Sequence, residues 1–105
     1  MASGVYGKVD LSSATTWTEV VAAPASGVKV VTINISNRTA APITARIALR
    51  DAAGNVTDAD CIEYDTSIPA NGVLERTGIV LDTSNGLHAY AASSGLTAVA
   101  YGMDG

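Results

Sequence analysis

The sequence predicts an all-β fold: a small antiparallel sandwich, immunoglobulin-like or jelly-roll-like, of seven to eight strands. Three observations carry that expectation. Apolar residues recur with a period of two in several short runs. Clusters of Gly, Pro, Asn and Ser break the chain at short, regular intervals. No run has both the period and the caps of a helix.

The two longest runs set the pattern. Val31, Ile33 and Ile35 alternate with Val30, Thr32, Asn34 and Ser36. The first set reads as the inward face. Ile43, Ala45, Ile47 and Leu49 alternate with Thr44, Arg46, Ala48 and Arg50. A helix would split that apolar set, whereas a strand keeps it on one side. The turn between them is residues 37–42, so 28–36 and 43–50 form a hairpin or face each other across a sandwich. The remaining candidates are shorter: Val5 to Leu11, Thr16 to Ala22, Cys61 to Tyr64, and Val73 to Leu81, with Gly78 marking a bend or bulge. Leu87 to Ser93 and Leu96 to Tyr101 read as a terminal hairpin around Ser94-Gly95, in which Tyr90 and Tyr101 pair. Residues 1–14, rich in Gly and Ser, read as an extended N-terminal arm, and residues 15–105 as one sandwich domain.

Composition excludes several classes. The chain has 105 residues, the length of one domain, and a net charge of -4. Charged residues are only 15%, against about 25% in an average domain. An acidic chain does not neutralise many phosphates, so no nucleic-acid partner is expected. No apolar stretch approaches the ~20 residues of a membrane helix, and the opening residues lack the basic and apolar regions of a secretory signal. A single cysteine, Cys61, rules out an internal disulfide framework.

Reactive side chains are few. His88 is the only histidine. As a general base it lacks a partner motif, and a partly exposed strand position explains it as well. Cys61 sits among Asp58, Asp60, Glu63 and Asp65, whose charges oppose thiolate formation. Asp51, Asn55, Asp58 and Asp60 offer oxygens to calcium, but their spacing is not that of an EF-hand and suits an ordinary solvated loop. Three sequons, at Asn34, Asn37 and Asn55, are expected by chance in a chain rich in Asn, Ser and Thr. No enzyme, cofactor or metal is expected.

The candidate contact residues are Tyr6, Trp17, Arg38, Arg46 and Arg50. Trp17 is the only tryptophan and suits either an interface anchor or the core. Arg46 and Arg50, four apart on one strand, project the same way, and Arg38 lies in the neighbouring turn. The tyrosines at 6, 64, 90 and 101 suit packing or ligand stacking.

The stretch Ile62-Glu63-Tyr64-Asp65-Thr66-Ser67-Ile68-Pro69-Ala70-Asn71-Gly72-Val73-Leu74 resembles a block in small virion structural proteins of tailed bacteriophages, especially of marine and cyanobacterial hosts. The run Val31 to Arg38 and the ending Val99-Ala100-Tyr101-Gly102 resemble the same family, so the likeness spans roughly residues 16 to 105. It implies a β-sandwich in the virion, made in the host cytoplasm, that decorates the capsid or attaches to the tail. The implied partners are the major capsid protein and the chain itself, as a homo-oligomer with a trimer favoured. A tail or fibre module and a carbohydrate-binding module are the alternative expectations. Read from its residues alone, the block is a corner: Pro69 cannot donate to a ladder, and Asn71-Gly72 supplies turn conformations.

Overall fold

A computed structural model describes residues 3–104. Eight strands follow one another: β1 (Ser3–Leu11), β2 (Trp17–Val21), β3 (Lys29–Asn37), β4 (Ile43–Arg50), β5 (Cys61–Ile68), β6 (Val73–Leu81), β7 (Gly86–Ala91) and β8 (Leu96–Asp104). They form two antiparallel four-stranded sheets, ordered β1-β8-β3-β6 and β2-β7-β4-β5. This is the strand order of an eight-stranded jelly roll. Among the described residues the only helical pieces are 3₁₀ turns at Ala53–Asn55 and Asp58–Asp60.

The period-two faces fall where the sequence puts them. Val31, Ile33 and Ile35 of β3, and Ile43, Ala45 and Ile47 of β4, are buried between the sheets, with Leu49 packed against them. β3 and β4 belong to opposite sheets and send these residues into one core. Ala45, Ala89, Ala91, Ala98 and Ala100 are fully buried, so much of the core is built from small side chains. Gly78 lies in the left-handed region, φ 70°, at a break of register between β3 and β6. That break is a bulge, which only a residue without Cβ enters cheaply.

Two expectations need correction. Residues 3–11 are not a free arm: β1 pairs with β8 from Ser3↔Met103 to Leu11↔Leu96, and Leu11 is in the core. Small residues are tolerated here because β1 runs tight against β2. A Cβ at Gly7 would lie 2.0 Å from the Val20 carbonyl oxygen. The expected terminal hairpin also does not form, because β7 and β8 belong to different sheets. Tyr90 and Tyr101 therefore stand on different sheets rather than pairing. Alternation says which residues point inward but not which strands share hydrogen bonds.

The corner at residues 68–72 forms as expected in part. Asn71 takes the left-handed conformation, φ 57°, while Gly72 is needed for space, since a Cβ there would sit 2.6 Å from the Pro69 ring. Asn37, 3% exposed, ties this corner to the end of β3. Its amide nitrogen donates to the carbonyls of Ala41 (2.8 Å), Ile68 (3.1 Å) and Pro69 (3.2 Å). Its oxygen accepts from the Thr39 amide and hydroxyl. Every polar atom of this buried side chain is thus satisfied.

Candidate functional site

The outer face of the β2-β7-β4-β5 sheet gathers the side chains best suited to recognition. Strand register places Trp17 beside Tyr90, and Tyr90 beside Arg46. The Trp17 and Tyr90 rings have centroids 5.4 Å apart with planes inclined at 50°. The Arg46 guanidinium lies 4.5 Å from the Tyr90 ring centroid and 4.2 Å from that of Tyr64. One row of three aromatic rings and a guanidinium, in the order Trp17, Tyr90, Arg46 and Tyr64, therefore crosses all four strands. Both cation–ring distances fall within the ~6 Å at which ring and cation attract.

A bulge in β5 builds the far end of this row. Ala45 pairs with Thr66 and Ile47 with Glu63, so the single residue Arg46 faces both Tyr64 and Asp65. Asp65 accommodates the extra residue in the left-handed region, φ 51°, which Asp tolerates better than most residues. The result is that Arg46 stacks on Tyr64 and donates from Nε to Asp65 Oδ1 at 2.7 Å. That hydrogen bond strengthens the guanidinium's hold on its proton. Tyr64 is 49% exposed, and Trp17 and Tyr90 are half-buried, so the row is open to a partner.

The neighbouring row on this face, Glu19-His88-Ala48-Cys61, is closed over at its two central members, His88 and Ala48. The segment 51–60 folds back, one 3₁₀ turn against β2 and the other against β4. His88 is accordingly fully buried, not the partly exposed residue expected from sequence. Its Nε2 lies 2.9 Å from the Arg50 carbonyl oxygen, which leaves Nε2 as the donor, and its Nδ1 has no hydrogen-bond partner. Burial keeps it from acting as a base on an external substrate.

The loop acids are used internally. Asp60 accepts from the Thr57 amide at 2.8 Å and from the Thr57 hydroxyl at 3.1 Å. The amide above all holds its carboxyl below the usual range. Asp51 accepts from Asn55, and Asp58 from the Tyr64 hydroxyl. Among the described residues no group of three or more His, Cys, Asp or Glu side chains is placed to hold a metal ion. Burial first, and then Asp58, push the half-buried Cys61 thiol up from its ordinary value.

Of the five candidate contact residues, the structure brings Trp17 and Arg46 into one row. Arg50 lies beyond it on β4, ion-paired to Asp51 and Asp60, beside a shallow polar depression lined also by Thr83, Ser84 and Asn85. Arg38 belongs to the other sheet's side, donating to Asp10 at 2.9 Å and to Thr97 at 2.8 Å. Tyr6 sits at an end of the sandwich, its hydroxyl donating to Asp104 with Lys29 over its ring. The arginines thus do not form one patch. Sequence reasoning weighed Tyr64 and Tyr90 for stacking without joining them to Trp17 and Arg46, and missed Asp65; the bulge that brings Asp65 in has no signature in the sequence.

No protein-family model matches the chain, and none of the curated proteins compared with it shows significant similarity.

Proposed function

We propose that the protein is a bacteriophage virion structural protein, best suited to decorating the outside of the capsid shell and reinforcing it. The observation that carries this reading is the form of the candidate site. Its polarisable side chains lie in a flat, open row on a rigid sheet. A flat row suits recognition of another surface, because aromatics and arginine are the side chains that anchor protein interfaces. The resemblance of residues 62–74 to phage virion proteins supplies the biological setting. In the fold that block is strand β5, the corner and the start of β6, and it contributes Tyr64 and Asp65 to the row.

The test is to locate and count the protein in intact particles. Mass spectrometry of purified virions should show it in many copies, and image reconstruction should place it on the shell. Arg46→Ala and Trp17→Ala should lower its occupancy on stripped shells while the protein stays folded. Absence from particles sinks the reading, and a few copies confined to the tail replace it with a tail-adaptor role.

A second reading is favoured by the exposure of Tyr64 beside Arg46. Sugar rings stack their apolar faces on aromatics, with charged neighbours bonding their hydroxyls. Glycan-array binding lost in Tyr64→Ala would establish adsorption to host carbohydrate instead.

A further inference from the structure

The opposite face of the molecule, the outer side of β1-β8-β3-β6, has a different chemistry. Its residues fall into four rows fixed by strand register. Met103, Val30 and Val80 form the first. Val5, Tyr101 and Thr32 form the second. Lys8, Val99, Asn34 and Glu75 form the third, and Asp10, Thr97, Ser36 and Val73 the fourth. Five of the residues in the first two rows are large, apolar and exposed: Val5 at 60%, Val80 at 54%, Met103 at 47%, Tyr101 at 39% and Val30 at 37%. Whereas segment 51–60 closes over part of the other sheet, these five side chains of this one stand open. A contiguous exposed apolar stripe of this kind marks an interaction surface.

We propose that this face pairs with the same face of a second copy of the chain, forming a two-fold dimer by sheet-on-sheet packing. The charges select that occupant. In the third row Lys8 stands on the edge strand β1 and Glu75 on the opposite edge strand β6. A two-fold axis lying in the interface along the strands, between β8 and β3, reverses each row left to right over itself. It lays the apolar rows on the apolar rows, and it sets Lys8 over the partner's Glu75 and Glu75 over the partner's Lys8. An axis across the strands, through the middle of the face, would lay the apolar end on the polar one. The first three rows are therefore complementary to themselves in one orientation, as an isologous interface requires. In the fourth, Asp10, ion-paired to Arg38 of its own chain, comes over the partner's Val73 at the rim. Among the described residues Lys8 has no ion-pair partner within its own chain.

The size also fits. Each of the four strands has nine residues, so the face measures roughly 19 by 30 Å, on the order of 600 Å² of footprint. With the relief of its side chains this approaches the ~800 Å² per partner of a standard specific interface. The two sheets would pack about 10 Å apart with strands aligned to within about 30°. An isologous pair closes as a dimer, so this face does not by itself produce the trimer expected from the family resemblance. The pairing is independent of the virion role.

Sedimentation velocity of the full chain, from roughly 1 to 500 µM, tests it. A concentration-dependent dimer is expected. Val80→Lys, at an exposed outward position, should weaken it by about tenfold or more, with unchanged circular dichroism. Lys8→Glu alone and Glu75→Lys alone each set two like-charged pairs face to face and should weaken it about fivefold. The double exchange Lys8→Glu/Glu75→Lys should recover affinity to within about threefold. A monomer throughout the range overturns the proposal. So does a dimer indifferent to Val80→Lys, or a double exchange that fails to recover. A monomer whose Val80→Lys variant loses only its hold on phage shells also overturns it, and assigns the face to the shell.

Discussion

The side-chain amide of Asn37, at the end of β3, donates to the carbonyl oxygen of Ile68, 3.1 Å away at the end of β5. The bond joins the two sheets at one end of the sandwich. Asn37→Ala removes the donor that bridges the Ile68, Ala41 and Pro69 carbonyls and the acceptor of the Thr39 amide, and should cost about 2–4 kcal/mol. Asn37→Asp should cost more, because it turns a carboxylate oxygen toward three carbonyls. Urea unfolding of both variants, compared at pH 7, checks the order. The same burial excludes a glycan at this sequon.

Removal of residues 1–11 should unfold the protein rather than release a trimmed sandwich, because it takes Leu11 from the core and leaves β8 unpaired along one side. Gly7→Ala tests the same strand more gently. Its Cβ would meet backbone, which cannot rotate away, and the cost should be on the order of 2 kcal/mol or more. Gly54→Ala, where nothing lies within 4 Å, should stay within about 0.5 kcal/mol of the parent. Thermal melts of the three proteins distinguish a structural strand from an accessory arm.

Acid should weaken the fold through groups that are ionised in it. Glu63 accepts from the Thr66 hydroxyl at 2.7 Å and pairs with Arg76, which reaches from edge strand β6 to edge strand β5. The Thr66 bond first, and Arg76 next, hold its carboxyl below the ordinary value. A depressed folded value means that the stabilisation is full above the unfolded value and is lost as pH falls through the folded one. Asp51, Asp60, Asp82 and Asp104 are depressed as well, so they add in the same direction. The urea midpoint should fall between about pH 5 and pH 3, and Glu63→Gln should flatten that slope.

Cys61 should react slowly with thiol reagents near neutral pH, since burial and Asp58 favour the protonated thiol. Asp58→Asn should quicken alkylation at pH 8, measured by mass spectrometry, without altering the fold. A rate equal to that of a free cysteine in the parent protein would contradict the arrangement.

The alternation in 31–35 and 43–49, the Gly78 bulge and the corner after Ile68 were all decided locally. Each follows from a residue's own conformational limits or from a two-residue period, so the amino-acid sequence determined an all-β sandwich and most of its inward face. It also determined the scarcity of reactive groups. Strand partnership was decided elsewhere. β1 docks on β8, nearly the whole chain away, and β7 and β8 part into different sheets, because pairing depends on which edges lie free once the core has closed. The same holds for the candidate site. Trp17, Arg46, Tyr64 and Tyr90 come from four strands, and only their register brings them into one row. His88 is buried by a loop that covers its strand from outside, which no period along β7 records. The apolar stripe on the other face is likewise scattered through the chain. Local sequence fixes what each residue can tolerate, and the closing of two sheets fixes what it meets.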